Sequence, residues 1–357
     1  MSKNRFFGLT SRLMMLIAAA FLVLSYVAMF VNPAKLWLFS VIGLLFVPLS
    51  VVNAALLIWA LLRRSRAFVI PLLALLPACM FLGKYFRFGE NDDMAMSDES
   101  IKVVTWNVGR FMHYADDSGI SGRTECADSV LSFIRQEDAD IICLQEFHVG
   151  RSDRIRAYIK EKMPGYSVEY YMFTGSDGSF GNMTLSKLPV RNRGKIKFDS
   201  SANLAIFTDY MASDRIFRIY NCHFESYNIS FAGIVRGLFR SGSDVFAETG
   251  SKMKRSITMR PKQVDKVLSD ISECPVDAFV CGDFNDNPMS YTYYRLRRER
   301  KDAFAEAGKG FGATYSLLWP LLRIDYILCP EDCAVVSHKI AHVGLSDHYP
   351  VVAEIKL

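Results

Sequence analysis

The first 90 residues constrain this chain more than any other part of it. Leu13 to Val31, Leu36 to Leu62 and Ala67 to Gly83 are runs of 19, 27 and 17 residues without a charge, and a helix that crosses a bilayer needs about 20. Three spans are therefore expected. The third is short and carries Pro71 and Pro77, so a re-entrant or interfacial helix is its alternative. A signal peptide would also suit the first run, but no small-residue cleavage site precedes Asn32-Pro33 and two more apolar runs follow. Lys3, Arg5 and Arg12 precede the first run and Arg63, Arg64 and Arg66 follow the second, with only Lys35 between them. Basic flanks favour the cytoplasmic side. With three spans, the rest of the chain emerges on the far side, the layout of a multi-pass cell inner membrane protein with a periplasmic domain.

The formal charge of +5 comes from this segment. Residues 1 to 90 hold nine Lys or Arg and one acid, which leaves 33 bases against 36 acids beyond them. The remainder has no global positive field to attract nucleic acid. Residues 236 to 262, with seven bases and two acids, are then the one basic patch expected in a mildly acidic domain. A solvated loop, a phosphate-backbone contact and an anionic-lipid contact all fit that patch. Of eight cysteines none forms a CxxC pair; Cys143, Cys222 and Cys281 interrupt strand-like runs and read as small buried hydrophobes. His113, His148, His338 and His342 have no motif around them and read as surface or packing residues.

Residues 89–99 are acidic and polar and read as a linker between a membrane anchor (1–88) and a domain spanning 100–357. In that domain β-branched and aromatic runs predict strands over 101–108, 140–145, 167–173, 182–186, 204–211, 216–224, 278–282, 324–328, 335–342 and 351–357. Helical periodicity appears at Ala127 to Arg135, Arg154 to Lys162 and Pro261 to Ile271. Strands in this number with interspersed helices predict an α/β or α+β domain with large sheets.

Several of these runs end on a polar residue. Glu146 follows the Asp140 to Gln145 run, where a carboxylate can reach a metal ion while its backbone stays in the sheet. Asp283 and Asn285 flank Phe284, so in an extended segment both face one side; one can orient a water while the other donates to a phosphate. Asp325 lies two residues after Arg323, and Asp347-His348 opens the last strand; an aspartate that accepts from a histidine ring fixes its tautomer. Asn107 and His223 end two further strands. Breaking a phosphoester requires neutralised phosphoryl oxygens, a poised water and an acid for the leaving oxygen, and this set can supply them around Mg²⁺.

Thr105-Trp106-Asn107-Val108, Leu144-Gln145-Glu146, Gly181-Asn182-Met183, Asn221-Cys222-His223, Gly282-Asp283-Phe284-Asn285, Arg323-Ile324-Asp325-Tyr326 and Ser346-Asp347-His348-Tyr349-Pro350 together resemble the endonuclease/exonuclease/phosphatase superfamily. The resemblance covers nearly all of 101–357, and the whole layout is similar to its membrane-anchored bacterial members. It implies a four-layer α/β sandwich, two mixed β-sheets flanked by helices, here preceded by transmembrane helices. It implies Glu146 as the main Mg²⁺ ligand, with Mn²⁺ as the alternative ion and Asn107 and Asp347 close by. Asp283 would orient or deprotonate the attacking water, Asn285 and His223 would hold phosphoryl oxygens, and His348, positioned by Asp325, would stabilise the transition state or act as acid or base. Abasic-site endonucleases carry an acid two residues after the first-strand Asn, where this chain has Gly109, which counts against that specialisation. The implied activity is cleavage of a phosphodiester by metal-assisted attack of water, by an enzyme tethered to the membrane with membrane lipid as a partner. The substrate is nucleic acid in one reading and a phospholipid or small phosphoester in another, with a non-catalytic binding module as a third.

Overall fold

The computed structural model describes residues 3–89, 100–115, 118–227 and 243–357. Most of the expected 89–99 linker and residues 228–242 of the basic insertion lie outside them. The chain divides into two compact units: Met1–Tyr85 with Tyr227–Pro261 and Asp286–Arg295, and Phe86–Ser226 with Lys262–Asn285 and Leu296–Leu357.

In the first unit, Gly8–Phe30 is one helix long and apolar enough to cross a membrane. The second expected span is bent by 60° between Leu38–Leu44 and Phe46–Leu62. The third, Arg66–Leu82, is shorter than a span and is built of 3-10 and α pieces around Pro71 and Pro77, because a proline removes a backbone donor. Among the described residues only one, or two if the bent pair counts as one span, therefore meets the length criterion. Asn53 Nδ2, fully buried, ties the helices together by donating to the Ala18 carbonyl at 3.0 Å, and Tyr26 donates to Ala74 O at 2.7 Å. Leu9, Leu13, Ile17, Ile58 and Leu73 are apolar and exposed.

The second unit begins with β1 (Phe86–Arg87), then β2 (Ser100–Asn107), β3 (Ile141–Val149), β4 (Ser167–Gly175), β5 (Gly178–Ser186) and β6 (Val190–Lys197). There follow β7 (Leu204–Ala212), β8 (Arg215–His223), β9 (Asp277–Asp283), β10 (Arg300–Asp302), β11 (Gly310–Phe311), β12 (Asp325–Pro330), β13 (Ala334–Ile340) and β14 (Val351–Lys356). Two mixed six-stranded sheets form, ordered β13-β14-β2-β3-β5-β4 and β10-β12-β9-β8-β7-β6; β2/β3 and β8/β9 are the parallel pairs.

Alternation along the strands sorts side chains into layers. On β2, Ile101 and Val103 join Phe217, Phe279, Cys281 and Ile327 between the sheets. Val104 and Trp106 turn outward to the helices Arg123–Glu137 and Ile155–Lys162, through Val130, Ile134 and Ile159. Cys143, Cys222 and Cys281 are buried free thiols, as expected. The outer face of the second sheet is covered by the latter part of the helix Ser243–Glu273, where Asp270 accepts from Tyr220 Oη at 2.6 Å. That helix runs through Pro261, where the sequence predicts a start.

β6 has no counterpart among the predicted strands. Its sequence, VRNRGKIK, has four bases and no acid, so it hides the apolar alternation by which a half-buried strand is recognised. It also corrects the expectation that residues 236–262 hold the one basic patch.

Candidate active site

Parallel neighbours bring their carboxyl ends to the same rim, and the antiparallel strands contribute their beginnings there. Asn107, His223 and Asp283 stand at the ends of β2, β8 and β9, while Glu146, expected to follow a strand end, lies at a bulge inside β3, which runs on to Val149; Asp325 opens β12 and Asp347-His348 precede β14. Register places Asp325 opposite Asp283 and His223 beside it. Gly282, at φ 132°, permits this approach, because a Cβ there would lie 1.9 Å from the Cys222 carbonyl oxygen.

Asp283, fully buried, is the hub. Its Oδ2 accepts from Asn107 Nδ2 at 2.9 Å and from Asn285 Nδ2 at 3.0 Å, and its Oδ1 accepts from the Asn285 amide at 2.8 Å. The last bond needs a tight turn, and Asn285 adopts φ 52° to make it. His223 Nε2 lies 3.7 Å from Asp283 and 3.7 Å from Glu146, buried and with no hydrogen-bond partner. His348 Nδ1 meets Asp325 Oδ2 at 2.9 Å, and its Nε2 is 3.9 Å from Asp283. Ser346 and Trp106 hold the backbone here, donating to Asn107 O and His348 O, each at 2.8 Å.

Glu146 sits at a bulge in the β3/β5 pairing with φ 52°. Bulges beside active sites re-aim a side chain, and this one turns the carboxylate to the rim. Beneath it a buried polar clasp joins the two sheets. Gln145 Nε2 donates to Asn221 Oδ1 at 2.8 Å, Asn221 Nδ2 to Met183 O at 2.9 Å, and Asn182 Nδ2 to Asn221 O at 3.0 Å.

Burial pushes the Asp283 carboxyl up, aided by the Asp325 charge and resisted by His348 and His223. Burial opposes charge on His348 too, but Asp325 and Asp283 outweigh it and hold the imidazole well above the ordinary histidine value. Glu146 is pushed up by burial, yet His223, Arg110 and His348 bring it below the usual carboxylate value. The surroundings therefore favour the charged forms of Glu146 and His348 and disfavour charge on Asp283.

Asp283, Asp325 and His348 are the tight group of potential ligand atoms among the described residues, all within 4.8 Å. The Asp325–His348 hydrogen bond occupies that group internally. Glu146 fits a hard divalent cation better, being a half-buried anionic oxygen donor at the mouth. The buried Nε2 of His223 beside it faces the same space without a partner. Asp347 is half-buried, and its Oδ1 is near Ser346 Oγ at 3.3 Å. Gly109, at φ 52°, leaves no room for a larger residue, since a Cβ would be 2.7 Å from His113 and 3.1 Å from Asp347.

Arg110 is a rim residue that motif reading missed. Its Nε is 3.4 Å from Glu146 Oε2, and its guanidinium stacks at 3.8 Å on the Phe180 ring. Its place three residues after Asn107 was the available signal. Of the motif-free histidines, His338 is core, its protonation suppressed by burial to a pKa of about 3. His148 is nearly buried against Arg123.

Residues 104–348 match the model of the Endonuclease/Exonuclease/phosphatase family, and residues 4–85 match a domain of unknown function, DUF8431. No curated protein matches the chain. Among solved structures, an endonuclease/exonuclease/phosphatase from Beutenbergia cavernae DSM 12333 is similar at 18% identity and TM-score 0.52, covering 72% of each chain. The human Nocturnin catalytic domain with bound sulfate is similar at 17% identity and TM-score 0.52, over 73% of this chain and 94% of that one. D. rerio TDP2 complexed with single strand DNA product gives 17% identity and TM-score 0.51, over 72% and 99%. At such identities the structural likeness is one of fold, and the match of the family model over most of the chain settles the rest: this protein belongs to the endonuclease/exonuclease/phosphatase family.

Proposed function

We propose that the protein is a divalent-metal-dependent phosphodiester hydrolase, with 100–357 as the catalytic domain, 89–99 as linker and 1–88 as a membrane anchor. The observation that carries the reading is the convergence on one buried carboxylate, Asp283, of Asn107, Asn285, His223 and His348. Glu146, with Asn107 and Asp347 near it, would hold Mg²⁺ or Mn²⁺, which when bound supplies charge neutralisation and a polarised water. Asp283 takes the proton of the attacking water as its oxygen bonds to phosphorus. His223 donates to the phosphoryl oxygens, and Asn285 does so by releasing one of its Nδ2 hydrogens, which at rest go to Asp283 Oδ2 and Phe224 O. His348, kept cationic by Asp325, stabilises the transition-state charge and can give its proton to the leaving oxygen as the phosphorus–oxygen ester bond breaks.

The exposed apolar helices support a membrane anchor, entering through Gly8–Phe30, and the flanking basic residues put the domain on the extracytoplasmic side only where Arg66–Leu82 crosses as a third span. A phospholipid or small phosphoester would then be within reach. The TDP2 likeness, with its single strand DNA product, supports nucleic acid. Hydrolysis of bis(p-nitrophenyl) phosphate by the full chain in detergent tests the reading. Turnover should require Mg²⁺ or Mn²⁺, stop with EDTA, and fall about 10²–10³-fold in Glu146→Gln and in Asp283→Asn. Unchanged turnover in either variant, or in EDTA, would overturn it.

A further inference from the structure

Edge strands β4 and β6 close the same side of the two sheets. From β6, Arg193, Lys195 and Lys197 recur at every second position and are exposed, with Arg191, also exposed, at a register shift beyond them. Alternate residues of a strand are about 7 Å apart, so the bases form a line of charges commensurate with successive phosphates of an extended polynucleotide strand. From β4 across the seam, Tyr171 and Phe173 are half-exposed, with Lys195 and Lys197 amino groups 4.2 and 5.1 Å from the Tyr171 ring centroid. Glu169 is paired with Arg193 and also with Arg156.

The seam leads to the candidate active site by two routes. Along the aromatic side, Tyr171 contacts Phe173 at 5.2 Å, Phe173 contacts Phe180 at 6.3 Å, Phe180 carries Arg110 at 3.8 Å, and Arg110 reaches Glu146. Along the basic side, Lys197 pairs with Leu204, which pairs with His223. That register puts Lys197 two strand spacings, about 10 Å, from His223. Charges on an edge strand also deter strand pairing, but this leaves the half-exposed aromatic ladder on the opposite edge unexplained. A lipid surface would be met by a broad apolar or basic face, whereas this feature is narrow and linear. Aromatic platforms beside a line of bases are how single strands are held without sequence preference.

We infer that the β4/β6 seam is a single-stranded nucleic-acid track, with Tyr171, Phe173 and Phe180 stacking bases and Arg193, Lys195 and Lys197 contacting phosphates, that delivers a strand to Glu146. It rests on the proposed hydrolase activity only for what happens at the end of the track, since binding along the seam requires no turnover.

The test measures fluorescence anisotropy of a labelled 20-nucleotide oligothymidylate with the full chain in detergent and EDTA, for wild type, Lys195→Ala/Lys197→Ala, the Lys→Arg pair and Tyr171→Ala. Circular dichroism checks folding of each. The alanine pair should weaken binding at least tenfold and flatten the log–log salt dependence by about 1.4, at about 0.7 per lost phosphate contact. The arginine pair should restore both. Tyr171→Ala should weaken binding while keeping the salt slope. In Mg²⁺, the alanine pair should lower the ratio of oligonucleotide to bis(p-nitrophenyl) phosphate kcat/KM about tenfold. Equal oligonucleotide binding by wild type and the alanine pair would overturn the track, as would binding of phosphatidylglycerol vesicles, but not of the oligonucleotide, that the pair abolishes. Failure of wild type to hydrolyse bis(p-nitrophenyl) phosphate would count against the hydrolase reading, while the anisotropy result stands independently.

Discussion

Replacing Asp325 by asparagine tests the coupling at the centre of the rim. Asp325 and His348 are both buried and meet at 2.9 Å. At that distance and an effective dielectric of about 20, opposite unit charges attract by about 6 kcal/mol, of which desolvation of the two groups returns a large part. Asparagine retains a hydrogen bond of about 1 kcal/mol and removes the charge. The bias toward the imidazolium should fall by about 3–4 kcal/mol, roughly 10²–10³ at 1.36 kcal/mol per tenfold. The sign follows from the raised His348 value: its cationic form is present below its folded pKa and is lost as pH rises through it. In Asp325→Asn the alkaline limb of the kcat profile should therefore move to lower pH, with kcat at pH above the wild-type limb reduced by up to about 10²–10³-fold. Stopped assays with bis(p-nitrophenyl) phosphate across pH, paired with ¹⁵N NMR titration of the His348 ring, read both quantities. Wild-type kcat with an unmoved alkaline limb would show that Asp325 does not set the charge of His348.

Two further outcomes follow from the same structure. His338 is held neutral in the core, its pKa lowered by burial from 6.5 to about 3, so the unfolded chain binds its proton first and stability falls as pH drops below 6.5. Between pH 7 and 5 wild type should lose about 2 kcal/mol more than His338→Gln, measured by urea denaturation, and equal losses would refute the neutral core assignment. Gly282→Ala would place a methyl group 1.9 Å from the Cys222 carbonyl at φ 132°. It should cost on the order of 3 kcal/mol or more by the same assay, and a loss below about 1 kcal/mol would show that β8 and β9 approach less closely than the structure has them.

The class of the sheets, and most of the polar residues that gather at their rim, were legible in the residues alone. A strand's period of two and its bounding turns are local properties, readable over a few residues. β2, β7, β8, β9 and β14 each match, to within a residue at either end, a run whose apolar alternation announces it. The order of Asn107, Glu146, His223, Asp283, Asp325 and His348 along the chain was likewise enough to name the family and propose a common site. β6 escaped because its bases replace apolar residues on an exposed edge and Gly194 faces Phe207, leaving no hydrophobic period to detect. The helix through Pro261 escaped because tertiary packing overrides a local break.

Which of these residues meet depended on how the sheets pack. Asn107 and Asp283 are 176 residues apart and touch because β2 and β9, on different sheets, end at the same rim. Glu146 reaches the rim through a bulge whose positive φ no side-chain pattern announces. Arg110, Phe180 and the β4/β6 seam acquire meaning from the pairing of two sheet edges. Pairing is a long-range outcome of strand order and register, and local periodicity carries no record of it.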